Sequence, residues 1–491
     1  MKEILINCGA VQTGAVILNG GELEDVFVEH DGSGGVGNIY KGTVDNVVPG
    51  MQSAFIDIGL DKNAFLFAGD ISAAEETREK KADIRRLVCK GQDVIVQVTK
   101  EAQGAKGARV TTAVTIPGRK LVLMPMLDYI GISKKIEDEE EKARLNGLVS
   151  SLKGSDYGYI VRTDAQGAGE EELKNEMSYL ERQWEEICKT AKTKNAPILL
   201  YREDSLLLTI LRDYCDNTVD RIVINNQELF QEAVETASVM APALRDKIVF
   251  RQGNLFAQAG IETKLKKLLQ RRVWLDNGAY LMIDYTEALT VIDVNTGKFT
   301  GDYDLQKTIL RTNLLAAKEI ARQLRLRAIG GIIVIDFIDM ENDADREAVL
   351  KALEEASAGD KIKTNILGFA PLGLVEVTRK KTRLSLADSM QHLCPYCEGD
   401  GRILNEKTIV NGLLFELERC VENHEVNCAV LRLNPYISAV LKRQNDVLRQ
   451  YFPNVSVFVR EDAGMHIEDY NITPIRKGEE MADREGLVKI L

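Results

Sequence analysis

The chain has 491 residues and a formal net charge of −12, with 45% hydrophobic and 28% charged residues. This length suggests about three to five domains, and the composition excludes an intrinsically disordered protein. The longest uninterrupted apolar stretch, residues 329–335, is far shorter than the ~18 residues of a membrane span, and the amino terminus carries no secretory signal, so we expect a cytoplasmic protein without a membrane span. The net charge excludes a uniformly basic surface, so a nucleic-acid site would need locally concentrated cations.

Short strand-like segments predominate in residues 1–116, at 4–7, 15–18, 26–29, 39–44, 53–58, 64–67 and 93–98. Between residues 38 and 59, a strand, a turn and a second strand follow one another in the order typical of a small antiparallel barrel. We therefore predict an OB-type barrel in this part of the chain.

Helical periodicity begins after the predicted barrel. A charged segment at 134–153 predicts a solvent-facing helix, and residues 170–192 carry apolar side chains along one helical face. A helix at 204–214, a strand at 221–225, a helix at 227–240 and a strand at 247–251 are predicted next. This alternation is typical of α/β structure.

The segment 273–380 repeats the alternation on a larger scale. Strands are predicted at 280–285, 288–294, 331–338 and near 374–378, with helices at 303–327 and 345–356. We expect one α/β layer domain here. The roughly 90 residues after the Glu-Gly-Asp-Gly junction at 398–401 again mix helix and strand, and they predict a small separate unit.

Two apolar strands of the α/β segment each carry a carboxylate near the end, Asp293 and Asp336, and Asn295 lies in phase with Asp293 because side chains alternate along a strand. If the strands are neighbours, two carboxylates and one amide converge at a sheet edge. Such a group suits Mg²⁺, which supports phosphodiester hydrolysis. The alternative is that each aspartate only caps the following turn. Asp339 would lie on the opposite face if its strand continues, and we rank it as a supporting residue.

Eight cysteines do not form a disulfide framework, because only Cys394 and Cys397 are closely spaced. One Cys-x-x-Cys supplies two of the four ligands that a structural Zn²⁺ needs. Either His392 and another residue complete the site, or a second subunit contributes its own pair. The pair could instead form an unliganded turn or have a redox role, although a redox role needs a thioredoxin-like βαβ context that the sequence lacks.

Phe55 and Phe65 lie in the predicted barrel, near Tyr40 and ahead of cations that include Lys106. Aromatic side chains with interleaved cations bind single-stranded nucleic acid on such barrels. The alternative is that these aromatic side chains fill the barrel core. Basic clusters also occur at 264–272, 322–327 and 379–383, and the last is the least easily explained as a solvated face.

Four segments resemble the catalytic core of the ribonuclease E/G family: Thr290-Val-Ile-Asp-Val-Asn-Thr-Gly, Glu319-Ile-Ala-Arg-Gln-Leu-Arg-Leu-Arg, Gly330-Gly-Ile-Ile-Val-Ile-Asp-Phe-Ile-Asp-Met and Cys394-Pro-Tyr-Cys. The resemblance keeps their order and covers essentially the whole chain. It implies a Mg²⁺-dependent endoribonuclease that cleaves single-stranded RNA in rRNA and tRNA processing and mRNA decay, leaving a 5′-phosphate and a 3′-hydroxyl. Without a long Pro- and Arg-rich tail after the cysteine pair, the chain is expected to be more similar to the ribonuclease G branch than to the ribonuclease E branch.

The resemblance also implies roles for individual residues. Asp293 and Asp336 match carboxylates that bind Mg²⁺, and Asn295 matches an amide that helps to orient the attacked phosphate. Phe55, Phe65 and Lys106 fall on a barrel surface that binds RNA.

Two further pairs have implied roles. Arg162 and Thr163 match a pocket that senses a 5′-monophosphate on the substrate, since a guanidinium and a hydroxyl can both bond phosphate oxygens. Cys394 and Cys397 match a zinc-link, in which two protomers each give two thiolates to one shared Zn²⁺. The expected assembly is a homo-oligomer, either a dimer or a dimer of dimers. The alternative function is a non-catalytic RNA-binding protein or chaperone that retains the family fold.

The implied domain layout begins with an RNase H-like domain at 1–35 and 208–270, interrupted by an OB-fold RNA-binding barrel at 36–118 and a 5′-sensor domain at 119–207. A DNase I-like catalytic α/β domain at 271–390, the zinc-link at 391–404 and a small C-terminal domain at 405–491 follow. In this layout we expect acidic residues at 137–141 and 479–485 to lie away from the RNA path. The cluster at 379–383 and the barrel lysines would supply cations along it.

Overall fold

The computed structural model describes residues 1–29, 35–71, 83–102, 106–154, 156–203, 205–216, 218–297, 305–424, 426–476 and 487–490. They belong to two compact units, Met1–Met390 and Gln391–Leu491. Among the helices of these ranges, none combines the length of a bilayer span with a sufficiently apolar composition.

The first three strands form an antiparallel meander. They are β1 (Lys2–Cys8), β2 (Thr13–Asn19) and β3 (Glu22–Val28). Their central residues are mostly Ile, Leu, Val and Ala, which suit a strand that is covered on both faces. Ile4 and Ile6 contribute to one hydrophobic core, while Leu5 and Val16 contribute to a second core on the other face.

Five strands close into a barrel. They are β4 (Ile39–Val48), β5 (Ser53–Asp57), β6 (Ala64–Phe67), β7 (Asp93–Lys100) and β8 (Arg109–Thr111), with the short helix α1 (Ile84–Leu87) before β7. Their order is β4-β5-β6-β8-β7, and the pairing of β4 with β7 closes the ring. The pair β6–β8 is parallel and the other pairs are antiparallel. The predicted barrel of OB type is therefore confirmed.

A four-stranded sheet covered by two helices follows the barrel. Its strands are β9 (Ile116–Pro117), β10 (Leu121–Met124), β11 (Ile130–Ile132) and β12 (Gly158–Val161), in the order β11-β12-β10-β9. Helix α2 (Glu139–Leu152) begins later than predicted because the side chain of Asp138 caps its first turn. Helix α3 (Glu170–Thr193) buries its apolar face in the hydrophobic core that this sheet and α2 share. Strand β13 (Ile198–Tyr201) pairs with β4 of the barrel.

The next segment completes the first sheet. Strand β14 (Val219–Ile224) runs parallel to β1, and β15 (Ile248–Phe250) runs parallel to β14, so the order is β15-β14-β1-β2-β3. Helices α4 (Leu206–Thr209) and α5 (Gln227–Met240) pack on one face. Helices α6 (Leu255–Gln258) and α7 (Ile261–Leu268) pack on the other.

A six-stranded sheet carries the predicted carboxylates. Its strands are β16 (Arg272–Trp274), β17 (Tyr280–Tyr285), β18 (Leu289–Asn295), β19 (Gly331–Asp336), β20 (Thr364–Phe369) and β21 (Val375–Arg379), in the order β16-β17-β18-β19-β21-β20. Strands β18 and β19 are parallel, and the other neighbours are antiparallel. Helices α8 (Leu305–Leu326) and α9 (Asp343–Ser357) pack on one face, and the short α10 (Leu386–Met390) follows.

The second compact unit has a mixed α/β fold. Its elements are α11 (Glu406–His424), β22 (Val426–Leu433), α12 (Pro435–Lys442), α13 (Asn445–Tyr451), β23 (Ser456–Glu461), β24 (Tyr470–Arg476) and β25 (Leu487–Lys489). The sheet order is β24-β22-β23-β25. Leu413, Leu431 and Val457 belong to its own hydrophobic core.

Candidate active site

The carboxylates of Asp293 and Asp336 lie side by side on neighbouring parallel strands. The register of β18 and β19 pairs these two residues directly. Because side chains alternate along each strand, both carboxylates project from the same face of the sheet. Their neighbours Ile292 and Ile335 point into the hydrophobic core on the opposite face.

The amide of Asn295 belongs to the same group. Its Nδ2 donates a hydrogen bond of 2.5 Å to Oδ2 of Asp293, as the strand alternation predicts for two residues on one face. Partial burial, followed by the negative charges of Asp293 and Asp339, raises the pKa of Asp336. The fold thus brings together the three residues that the sequence suggests for a metal site.

The segment after β19 differs from the prediction. The strand ends at Asp336 rather than at residue 338, so the alternation that would turn Asp339 to the opposite face stops earlier. Asp339 contributes its charge to the raised pKa of Asp336. The fully buried Asn313 of α8 holds this segment: its Nδ2 donates to the carbonyl oxygen of Ile338 at 2.8 Å, and its Oδ1 accepts from the N–H of Ile338 at 3.2 Å.

Asn313 is a residue of the site that sequence reasoning missed. Its neighbours on the inner face of α8 include Ala316, Ala317 and Ile320, all fully buried. An amide in such a position must find hydrogen-bond partners inside the protein. The only signal in the sequence is an asparagine in phase with the apolar residues of a predicted helix.

These residues fit a hard divalent cation. Mg²⁺ is usually held by one or two carboxylates and keeps several waters. The accumulated negative charge of Asp293, Asp336 and Asp339 favours a bound cation, since like charges raise the cost of ionisation. Within the part of the chain that the structure describes, no group of three or more histidine, cysteine or acidic side chains has a metal-binding arrangement. The residues that could hold the cation are the two carboxylates of Asp293 and Asp336, with the amide of Asn295 beside them.

Phe55 and Phe65 lie on the outside of the barrel. They pair across β5 and β6, and their rings meet edge to face with centroids 6.0 Å apart. Both side chains are half-buried, whereas Tyr40 is 2% exposed and belongs to the barrel core. The exposed Lys106 lies on the connection that leads into β8. The core-filling alternative is therefore correct for Tyr40 and wrong for the two phenylalanines.

Arg162 and Thr163 follow β12 directly. Arg162 donates through Nη1 to the carbonyl oxygen of Gly118 at 2.6 Å and through Nη2 to Oδ1 of Asp213 at 2.7 Å. The hydroxyl of Thr163 lies 3.2 Å from that of Ser133. The two groups that are predicted to bind phosphate are therefore each in contact with polar partners: Gly118 and Asp213 for the guanidinium, and Ser133 for the hydroxyl.

Asp213 remains ionised beside Arg162. Burial opposes its ionisation, but the hydrogen bonds and charges of Arg212 and Arg162 outweigh that effect and lower the pKa of Asp213. Arg212 donates to Oδ2 of Asp213 at 2.9 and 2.7 Å. One carboxylate therefore bridges two guanidinium groups.

In the cluster at 379–383, Arg379 is buried inside the fold, so the prediction that it supplies a cation to RNA is wrong for this residue. Arg379 is 3% exposed and donates to Oδ2 of Asp360 at 3.0 and 2.7 Å. Arg383 donates to the carbonyl oxygen of Val26 at 2.5 Å, and its guanidinium carbon lies 4.1 Å from the centre of the Phe27 ring. Both arginines hold elements of the fold together, while the two lysines between them are exposed.

Cys394 and Cys397 lie on a turn of the second compact unit, and neither forms a disulfide. The backbone N–H groups of Cys397 and Tyr396, followed by the Cys397 side chain, lower the pKa of Cys394 and so favour its thiolate. The Sγ of Cys397 accepts a hydrogen bond from the N–H of Gly401 at 3.3 Å. Over the described ranges, His392 does not join the two cysteines in a metal-binding group.

Comparison with known proteins identifies the family. The profile of the Ribonuclease E/G family matches residues 115–382. Ribonuclease G of Escherichia coli (strain K12) is 40% identical over 476 residues, which cover 95% of this chain and 97% of that protein. Ribonuclease G of Haemophilus influenzae is 40% identical over 478 residues with the same coverage. Ribonuclease E of E. coli K12 is 34% identical over 495 residues, which cover 98% of this chain and 47% of that protein.

The identities are higher for the ribonuclease G proteins than for ribonuclease E, as the sequence predicts. The matched segment includes β18, β19 and the residues at their ends. On the strength of these matches over nearly its whole length, the chain belongs to the ribonuclease E/G family.

Proposed function

We propose that this chain is an endoribonuclease that hydrolyses single-stranded RNA with Mg²⁺ as its cofactor. The observation that carries the proposal is the register of β18 and β19, which sets Asp293 beside Asp336, together with the hydrogen bond from Asn295. The names ribonuclease G and ribonuclease E assign RNA cleavage to the relatives, and their similarity to this chain supports the same reaction here. We expect rRNA and tRNA precursors and mRNA to be the substrates.

The residues of the site have distinct tasks in this proposal. Asp293 and Asp336 would hold the cation through their carboxylate oxygens. When bound, Mg²⁺ supplies charge stabilisation at the phosphate and activation of water. The amide of Asn295 can donate a hydrogen bond to a phosphate oxygen and so orient the scissile group. Water adds its oxygen to phosphorus, the bond from phosphorus to the 3′ oxygen breaks, and the products carry a 5′-phosphate and a 3′-hydroxyl.

RNA would be bound outside the catalytic sheet as well. Phe55 and Phe65, which are half-buried on the barrel surface, offer ring surface to bases, and Lys106 offers a cation to the backbone. Arg162 and Thr163 would bind a 5′-monophosphate and so stimulate cleavage of monophosphorylated RNA.

We also propose the domain organisation that the family resemblance implies. The sheet of β1–β3, β14 and β15 would be an RNase H-like domain (1–35 and 208–270). The barrel (36–118) and the 5′-sensor domain (119–207) would be inserted in it, and a DNase I-like catalytic domain (271–390), a zinc-link (391–404) and a small domain (405–491) would follow. Each of these sheets has a hydrophobic core on at least one face, which supports the division, and the core on the second face of the first sheet also includes Leu326 and Leu386 of the catalytic segment.

Cys394 and Cys397 would supply half of a Zn²⁺ site that is shared with a second copy of the chain. The lowered pKa of Cys394 supports this role because metals bind the thiolate. A dimer, or a dimer of dimers, would contain one zinc ion for every two chains. Cys394→Ser should lose the zinc and reduce the assembly mass, and an unchanged mass would count against the shared site.

A cleavage assay with defined RNA ends tests the catalytic proposal. The purified protein should cut an A/U-rich single-stranded oligonucleotide in Mg²⁺ but not in EDTA, and a 5′-monophosphate should accelerate cutting relative to a 5′-hydroxyl. Asp336→Asn should reduce cleavage at least about a hundredfold, with RNA affinity nearly unchanged. Loss of a residue that only supports a metal ligand typically costs about 10- to 100-fold, and loss of a ligand itself should cost more.

Glu347→Gln, which removes one exposed carboxylate from α9, is the matched control and should cut normally. If the wild-type protein binds the oligonucleotide without cutting it in Mg²⁺, the non-catalytic RNA-binding or chaperone function replaces the nuclease.

A further inference from the structure

An aromatic and cationic group lies at the outer edge of the catalytic sheet. It consists of Arg272 and Trp274 on β16 and Tyr280 on β17, and we call it the Trp274 platform. The guanidinium carbon of Arg272 lies 4.6 Å from the centre of the Tyr280 ring and 5.6 Å from that of Trp274. The two aromatic rings meet edge to face with centroids 5.3 Å apart, yet Trp274 is 60% exposed. Its indole therefore offers a large apolar surface to a ligand.

The platform lies on the same face of the sheet as the proposed metal ligands. Trp274 pairs with Tyr280 across β16 and β17, and Tyr280 pairs with Asn295 across β17 and β18. The next row across the sheet contains Arg272, Met282, Asp293 and Asp336. With adjacent strands about 4.8 Å apart, β16 lies roughly 10 Å from β18. Two unbroken rows of side chains thus join the platform to the site.

The exposed position of Trp274 is not required by the core. Val273, between Arg272 and Trp274, is the residue of β16 that packs against the hydrophobic core of the sheet. Exposed aromatic rings beside a cation are the groups with which proteins bind single-stranded nucleic acid. The basic cluster at 264–272 also ends at Arg272, so the platform combines ring surface with positive charge beside an acidic site.

We propose that the Trp274 platform is a stacking site for one base of the RNA strand, next to the phosphodiester that is cleaved. This inference rests on the proposed function, since it assumes that RNA crosses the open face of the catalytic sheet. The indole stacks on the base, and Arg272, held over Tyr280, bonds a backbone phosphate. Stacking accepts any base because every base has a π-face, so the platform would add affinity without a strict sequence preference.

The chain has two tryptophans, which makes the proposal directly measurable. Trp184 is 5% exposed in the core that contains α3, so its fluorescence should respond little to RNA. Adding a 5′-monophosphorylated oligonucleotide in EDTA should quench the fluorescence of Trp274 without any cleavage. Trp184→Phe should keep the quenching, and Trp274→Phe should remove it while RNA affinity, followed by anisotropy of a labelled oligonucleotide, stays close to that of the wild type.

Trp274→Ala separates stacking from fluorescence. We expect it to weaken RNA binding about tenfold, the effect of losing one stacked base. Tyr451→Ala, which removes an exposed aromatic side chain from the second compact unit, is the control and should bind RNA normally. Trp274→Phe should retain most of the affinity that Trp274→Ala loses, because a phenyl ring still stacks on a base.

The outcomes for the platform and for the nuclease are separable. If RNA quenches the wild-type fluorescence and Trp274→Ala binds RNA more weakly, but the wild-type protein does not cut RNA in Mg²⁺, the stacking site is supported and the proposed nuclease activity is overturned. Cleavage by a protein that shows no quenching, with equal affinity in wild type and Trp274→Ala, would overturn the platform and leave the nuclease. Failure of the wild-type protein to bind or cut RNA would overturn both.

Discussion

Arg162 uses only part of its hydrogen-bonding capacity in the contacts described. A guanidinium has five N–H donors, and two of them meet the carbonyl oxygen of Gly118 and the carboxylate of Asp213. A phosphate can therefore bind the same guanidinium while the pair with Asp213 persists. Asp213 has two opposing effects in this arrangement: it orients Arg162, and it reduces the positive charge that an incoming phosphate meets.

The two effects predict different outcomes for two variants. Arg162→Ala should abolish the preference for 5′-monophosphorylated over 5′-hydroxyl RNA, because the cation is lost. Asp213→Asn removes the negative charge and keeps one oxygen that accepts from Nη2 of Arg162, at the expense of the bonds that Oδ2 accepts from Arg212. The preference should therefore be retained or increased through a lower KM. The measurement is kcat/KM on paired oligonucleotides that differ only at the 5′ end. An unchanged preference in Arg162→Ala would remove this residue from end recognition.

Single residues also show what a sequence can and cannot predict. The common face of Asp293 and Asn295 follows from strand alternation alone, whereas the pairing of Asp293 with Asp336 depends on a register between segments about 40 residues apart. The prediction of an RNA contact at Arg379 is wrong because its partner could not be identified from the sequence pattern. Asp360, which neutralises this cation, belongs to a different segment of the fold.

Helix α8 positions the end of β19 as well as packing the core. Asn313 bonds both backbone groups of Ile338, which lies between Asp336 and Asp339. Nearby, Arg346 of α9 donates to the carbonyl oxygen of Met340 at 3.1 Å. The segment that follows the second carboxylate is therefore fixed by side chains from two helices.

Asn313→Ala should reduce kcat for RNA cleavage while leaving KM nearly unchanged. The variant removes the hydrogen-bond partner of the N–H and carbonyl groups of Ile338, which should lower the free energy of unfolding by about 1–3 kcal/mol. It should also loosen the segment between Asp336 and Asp339. Urea denaturation and cleavage kinetics together measure the two effects. Lys318→Ala, at an exposed position of the same helix, should change neither. A normal kcat in a destabilised Asn313→Ala would mean that the amide serves stability alone.

The elements that sequence periodicity predicts best are the long ones. Helix α3 and strand β17 lie where the pattern places them, because each has several turns or alternations to define its phase. The pattern does not predict strands β16 and β20. β16 has only three residues, two of them exposed, and β20 carries a glycine with φ of 105° at an irregularity in its pairing with β21.

At the scale of the whole molecule, the net charge of −12 conceals how the cations are used. Many arginines pair with carboxylates inside the fold, as Arg379 does with Asp360 and Arg325 with Asp25. The two charges of such a pair largely cancel, so the pair contributes little to the electrostatic attraction of RNA. The cations of the proposed RNA path are therefore a small number of exposed side chains, among them Lys106 and Arg272.

RNA binding should consequently depend on salt with a modest slope. For single strands, the logarithm of the binding constant falls with the logarithm of salt concentration by about 0.7 for each neutralised phosphate. Lys106→Ala should reduce this slope by about 0.7 and weaken binding similarly for all sequences. Lys351→Ala, on α9 at 3.9 Å from Glu355, should leave the slope unchanged. Anisotropy titrations in EDTA between about 50 and 200 mM salt measure both slopes. If the slope of Lys106→Ala equals that of the wild type, this lysine contacts no phosphate.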